Sequence, residues 1–218
     1  MDALIGEART VAGDRDPVVV IVPTAAARQR PDQAVEYGER AFQAAAARAG
    51  IAVRLTTARI LTRDDAADPS LIEPIGIADL VHFPGGDPDL IPAVHRDTPA
   101  WTAILAALER GACVAGASAG AMALGGRVWT SRGGIDGLGL LPGTAVIPHF
   151  APDRVTSWRR IVEDGAALTW IGLDEQTLVL GRPGETWTVA GRGRMHLVPA
   201  GALEPTLVAH HGMAVSLG

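Results

Sequence analysis

Apolar and polar positions alternate along the chain between two periods, short β-branched runs and longer helical stretches. The run VVVIV at 18–22 ends at Pro23 and reads as a strand buried on both faces. Residues 32–49 are rich in Ala, Glu and Gln and stop at Gly50, which predicts a helix. A strand follows at 51–57, a short helix at 69–78 and a strand at 79–83 that runs into Pro84-Gly85-Gly86. Thr98 with Pro99 opens a second clear helix over 98–111, a capping residue followed by proline at the first helical position. A strand at 113–117 leads directly into the small-residue stretch SAGAMALGG. Beyond 126 the pattern loosens into glycine-rich turns at 133–143. A strand is then expected at 145–149, a helix at 152–164 and a strand at 169–173. Residues 176–198 alternate like a hairpin turning at Pro183-Gly184. Strands separated by helices predict an α/β fold: a mostly parallel sheet with helices on both faces and a small antiparallel addition near the C-terminus. In such a sheet ligands sit at the carboxyl ends of the strands.

Composition narrows the function classes. At 218 residues with 48% hydrophobic positions, the chain is expected to form a single domain, 1–218, with a full core. A net charge of −5 and a pI near 5.6 argue against a nucleic-acid or anionic-membrane partner. All 19 basic residues are arginine, so Schiff-base lysine chemistry is excluded. The one cysteine, Cys113, lies inside a strand and reads as a buried structural thiol, with no intramolecular disulfide available. The first residues, MDALIGEARTVAGDRDP, lack the apolar core of a signal peptide, and no run approaches the ~20 residues that span a bilayer. The expectation is a soluble, cytoplasmic protein, monomer or homodimer. No metal spacing, G-x-G-x-x-G or phosphate loop appears, so no cofactor is implied.

The strongest chemical signal is Gly116-Ala117-Ser118-Ala119-Gly120, a G-x-S-x-G at a strand-to-helix junction. Small neighbours permit the sharp turn that exposes a serine hydroxyl, and the Ala119 amide is then one oxyanion donor. The bland alternative is a glycine-rich turn with an incidental serine. The turn Phe83-Pro84-Gly85-Gly86-Asp87 ends another strand and could supply a second donor. Among six histidines, His149 ends a strand. His82 reads as a packed core residue, His95 as solvated on a helix, His196 as part of the late hairpin, and His210 and His211 as surface residues. Asp174 and Glu175 close the strand TWIGL. Two triads fit the order of the chain: Ser118, Asp174 and His210 or His211, or Ser118, His149 and Glu175. The second has all three members at strand ends.

The segments FPGGD, GASAGA, GLGLLPGTAVIPHF and TWIGLDEQT, occurring in that order, resemble the serine peptidase family of dipeptidase E (aspartyl dipeptidase) and cyanophycinase. The similarity runs over roughly residues 17–182. It implies a class I glutamine amidotransferase-like three-layer fold with serine in place of the amidotransferase cysteine. It further implies Ser118 as nucleophile, His149 as general base, Glu175 as orienting acid, and Gly86 and Ala119 as oxyanion donors. The implied activity is cleavage of short peptides, a dipeptidase with aspartyl preference. Arg154, Arg159 and Arg160, just after His149, are then candidates for holding a substrate carboxylate. The rival readings are a cyanophycinase-like or other amide or ester hydrolase, and a non-catalytic amidotransferase-like binding protein.

Overall fold

The computed structural model describes residues 1–130, 133–150, 165 and 167–217. The chain falls into two compact units, Met1–Ala121 and Met122–Gly218.

The first unit opens with a helix the apolar pattern did not announce, α1 (Asp2–Ala12), which buries Leu4, Ile5 and Ala8. β1 (Val18–Ile21) follows, α2 (Pro31–Ala49) ends at Gly50 in the left-handed conformation, and β2 is Arg54–Thr57. The short α3 (Pro69–Ile72) continues as a 3-10 turn over Glu73–Ile77, so the helix expected at 69–78 is split at Pro74. Proline lacks the N–H that would carry an α-helical bond onward. β3 (Leu80–Phe83), α4 (Leu90–His95), α5 (Pro99–Glu109) and β4 (Cys113–Gly116) complete the unit, and α6 (Ala119–Leu124) carries the chain onward. The sheet order is β2-β1-β3-β4 with every pair parallel. β1 and β3 are fully buried, β1 as an uninterrupted apolar run and β3 as apolar but for His82, as strands of a parallel sheet covered on both faces are. Thr98 caps α5 by accepting from the Trp101 amide at 3.4 Å. Asp79 anchors the strand starts, accepting from the Val18 amide at 2.8 Å and from Arg15 at 2.6 Å.

The second unit holds a six-stranded mixed sheet and a three-stranded antiparallel one. Its strands are β5 (Gly125–Thr130), β6 (Gly133–Asp136), β7 (Leu141–Ile147), β8 (Thr169–Leu173), β9 (Thr177–Leu180), β10 (Thr186–Gly191), β11 (Met195–Val198), β12 (Leu207–Ala209) and β13 (Ala214–Ser216). The larger sheet runs β12-β11-β8-β7-β5-β6, with β5, β7 and β8 parallel. Ala145, Phe150, Trp170 and Val198 form its core, with Trp129, Ile147 and Leu168 packed against them. β9 and β10 are the hairpin expected around Pro183-Gly184, whereas β11 leaves it to pair with β8 in the larger sheet. The region 133–143 is not all turn: β6 occupies 133–136, and β7 begins at Leu141 rather than 145. Glycines there suppress the strand signal without preventing pairing. The helix expected at 152–164 lies outside the described residues.

Candidate active site

In the first unit three parallel strands end side by side, and their turns interlock. β4 ends at Gly116, opposite Phe83 of β3, and the Ala117 amide donates to the Phe83 carbonyl at 2.9 Å. Ser118 comes next with φ +52°, a left-handed conformation that non-glycine residues seldom hold. Ala119 then begins α6. This is the geometry that the G-x-S-x-G pattern requires. Both glycines are needed for space. A Cβ at Gly116 would lie 2.2 Å from the Gly120 carbonyl carbon, and one at Gly120 would lie 2.1 Å from the Phe83 oxygen.

The turn after β3 lies directly against the serine. A Cβ at Gly85 would come within 3.2 Å of the Ser118 Cβ and 3.6 Å of its Oγ. Gly86 has φ +152° and would place a Cβ 2.1 Å from the Ala25 oxygen, so only glycine fits. The Asp87 amide donates to that same Ala25 carbonyl at 2.7 Å, tying this turn to the 3-10 turn Thr24–Ala26 that follows β1. Thr24 is itself held: its hydroxyl donates to the Ile60 carbonyl at 2.6 Å and accepts from His95 Nε2 at 2.8 Å. His95, expected to be solvated, is fully buried in α4 with the ring of Phe83 edge-on to it at 5.2 Å. Burial pushes its pKa down to about 4, so the ring is neutral and serves as a structural donor. His82 is buried as expected, edge-on to Phe42, with its pKa also lowered by burial to about 4. Cys113 is half-buried rather than buried.

In the second unit β7 and β8 run parallel, with Ile147 opposite Gly172. Residues just beyond their ends are therefore neighbours. His149 follows β7 with φ +54°, and its Nδ1 lies 2.5 Å from Glu175 Oε1, beyond the end of β8. With Nδ1–H donating to the carboxylate, Nε2 is the basic nitrogen. Both side chains are more than half exposed. The backbone beneath them is fixed, because the Phe150 amide donates to the Leu173 carbonyl at 2.9 Å. Gly172 leaves room for the Phe150 ring, which a Cβ there would meet at 2.6 Å.

The two adjacent carboxylates face different partners. Asp174 Oδ1 bonds His196 Nε2 at 2.9 Å, and its Oδ2 accepts from the Arg194 amide and Nε, each at 3.1 Å. His196 is buried and stacks on Phe150 at 4.3 Å between ring centroids. Asp174 is thus committed to β11, which weighs against the triad built on it. His211 Nδ1 accepts from the Gly191 amide, and His210 Nδ1 lies 3.3 Å from the His211 carbonyl; both histidines are exposed.

The sequence profile of peptidase family S51 matches residues 4–188. The chain belongs to peptidase family S51. It is a serine-type peptidase. Among solved structures it is similar to a peptidase from an acI-B1 Actinobacterium, with TM-score 0.77 and 29% identity over 99% of this chain and 88% of that one. It shares its fold with a protein assigned as a peptidase E from Listeria monocytogenes EGD-e, with TM-score 0.60 and 16% identity over 87% of this chain and 94% of that one. No curated protein matches the chain.

The two units have distinct chemical capacities. The first unit offers a half-buried hydroxyl beside two glycine-bearing turns, and the second a histidine oriented by a carboxylate. Arg154, Arg159 and Arg160 lie outside the described residues. Among the described residues no group of three or more His, Cys, Asp or Glu is arranged to hold a metal ion, and no helix is long and apolar enough to cross a membrane. The sequence reading missed the Thr24–His95 link and the Asp174–His196 pair. Neither has a local signature, because each joins residues more than twenty positions apart.

Proposed function

We propose that this S51 peptidase hydrolyses the peptide bond of short peptides through Ser118, His149 and Glu175. The observation that supports it most is the His149–Glu175 hydrogen bond at the ends of two adjacent parallel strands, with Ser118 held in its left-handed turn. His149 Nε2 takes the proton as Ser118 Oγ attacks the carbonyl carbon. Glu175 stabilises the imidazolium that forms. The tetrahedral oxyanion is received by the amides of Gly86 and Ala119. His149 then returns the proton to the leaving amine, and water repeats the sequence on the acyl-enzyme. No cofactor takes part. Because Ser118 belongs to one unit and the His–Glu pair to the other, the proposal has the whole chain, 1–218, acting as one domain.

The substrate is proposed to be a dipeptide with aspartate on the N-terminal side of the cleaved bond, with Arg154, Arg159 or Arg160 matching its charge. A carboxylate enclosed without a partner costs several kcal/mol, so an enclosed acidic residue needs such a cation. A fluorophosphonate probe tests the nucleophile. Wild type labels at Ser118, Ser118→Ala does not label, and His149→Ala labels at least 100-fold more slowly while His211→Ala labels normally. Loss of labelling in His211→Ala with His149→Ala unaffected would overturn the triad.

A further inference from the structure

A cleft of about 420 Å³ opens in the first unit beside the nucleophile turn, lined by Gln29, Arg30, Gln33 and Tyr37 and reaching Gly85. Gly85 is the residue that lies against Ser118, and the next residue is Gly86, the proposed oxyanion donor. The cleft therefore adjoins the point at which a scissile carbonyl would be held. Its volume lies within the range of small-ligand sites.

Among the described residues the charges around it cancel except for one. Arg28 pairs with Asp87 at 3.0 Å, Arg59 pairs with Asp32, and Arg40 pairs with Glu36 at 3.7 Å while covering the Tyr37 ring. Among the described residues no acid is paired with Arg30. The remaining polar groups of the cleft, two glutamine amides and a phenol, are neutral donors and acceptors. A cleft with one uncompensated guanidinium and neutral hydrogen-bonding neighbours is complementary to a single carboxylate, which arginine binds through its two-pronged donor face.

We infer that Arg30 binds a carboxylate of the peptide substrate in this cleft. The inference rests on the reading of Ser118 as the nucleophile for its meaning, since a cleft beside Ser118 matters only if the reaction occurs there. In a short peptide the carboxylate has two sources, the C-terminus and an acidic side chain. Either lies within about one residue's reach, ~3.5 Å of chain, of a central peptide bond.

The test measures binding without turnover. Asp-Leu, Asp-Leu amide, Leu-Leu and Leu-Leu amide are titrated calorimetrically into Ser118→Ala and into Ser118→Ala/Arg30→Gln. If Arg30 reads the C-terminus, the second variant binds the two free-acid peptides at least tenfold more weakly and the amides unchanged. If it reads the side chain, the two Asp peptides weaken and the Leu peptides do not. Arg30→Lys in the same background recovers part of the lost affinity, because it restores the charge without the bidentate geometry. Equal affinities of the two variants for all four peptides, or no binding of any of them to Ser118→Ala at millimolar concentration, would overturn the assignment. A failure of fluorophosphonate labelling in wild type itself would strike the nucleophile and not Arg30, which the calorimetry reads independently.

Discussion

The turn that carries Ser118 and the turn that carries His149 both use a left-handed residue at a strand end, yet they are held in different ways. Around Ser118 the restraint is backbone against backbone: Gly116, Gly86 and Gly120 each sit where a Cβ would strike a main-chain atom at about 2 Å. Around His149 one backbone hydrogen bond, from the Phe150 amide to the Leu173 carbonyl, is joined by side-chain restraints, the Glu175 carboxylate on His149 and the Phe150 ring over Gly172. Main chain in a packed sheet cannot move without breaking ladder bonds, whereas a ring can swing or a carboxylate rotate. The Ser118 turn therefore tolerates no change in shape, while His149 is adjustable and depends on its neighbours.

Glycine substitutions break that comparison most directly. Gly120→Ala drives a methyl group into the Phe83 oxygen and should cost at least ~3 kcal/mol of stability, with labelling of Ser118 reduced more than 100-fold. Denaturant unfolding and probe kinetics read both. A fully active, stable Gly120→Ala protein would show that the turn is not held as described.

Acid should come next in effect, and it should act through the first unit, which holds Ser118. His82 and His95 have pKa values lowered by burial to about 4, against 6.5 when unfolded. Below pH 6.5 the unfolded chain therefore binds more protons than the folded one, so stability is present above 6.5 and is lost as pH falls toward 4. Each histidine contributes up to roughly 3 kcal/mol to that loss. His95→Gln, which keeps a donor for Thr24, should flatten the decline of stability with pH by about half. An unchanged slope in that variant would place the acid sensitivity elsewhere.

Gly172→Ala is the smallest of the three. The three atoms nearest its Cβ all belong to the Phe150 ring, which can shift, so a loss of about 1–2 kcal/mol is expected. Turnover should fall several-fold because His149 is bonded along the chain to the displaced residue. A stability loss equal to that of Gly120→Ala would remove the distinction between the two turns.

Much of the candidate site was legible in the chain before any coordinates. The strand-end positions of Ser118, His149 and Glu175 follow from where β-branched runs stop and small or polar residues begin. The G-x-S-x-G spacing carries its own turn geometry, so the positive φ at Ser118 required no tertiary information. What could not be read is what holds these turns from behind. His95 looks like any polar residue on a short helix, and only the packing of α4 beneath the strand ends buries it. Likewise Asp174 and Glu175 are equivalent in sequence. The pairing of β11 with β8 delivers His196 and Arg194 to Asp174, and that pairing joins strands more than twenty residues apart. The strand β6 escaped because Gly133 and Gly134 carry no β signal of their own.

The central claim is that Glu175, and not its neighbour, orients the base that activates Ser118. It is tested most directly by comparing kcat for hydrolysis of Asp-Leu by Glu175→Gln and Asp174→Asn, at a temperature where both remain folded. The account predicts that Glu175→Gln lowers kcat at least 100-fold, because the imidazolium loses its carboxylate. Asp174→Asn should lower it less than tenfold, because it disturbs only the support from His196 and Arg194. The reverse ranking would contradict the account and give the orienting role to Asp174.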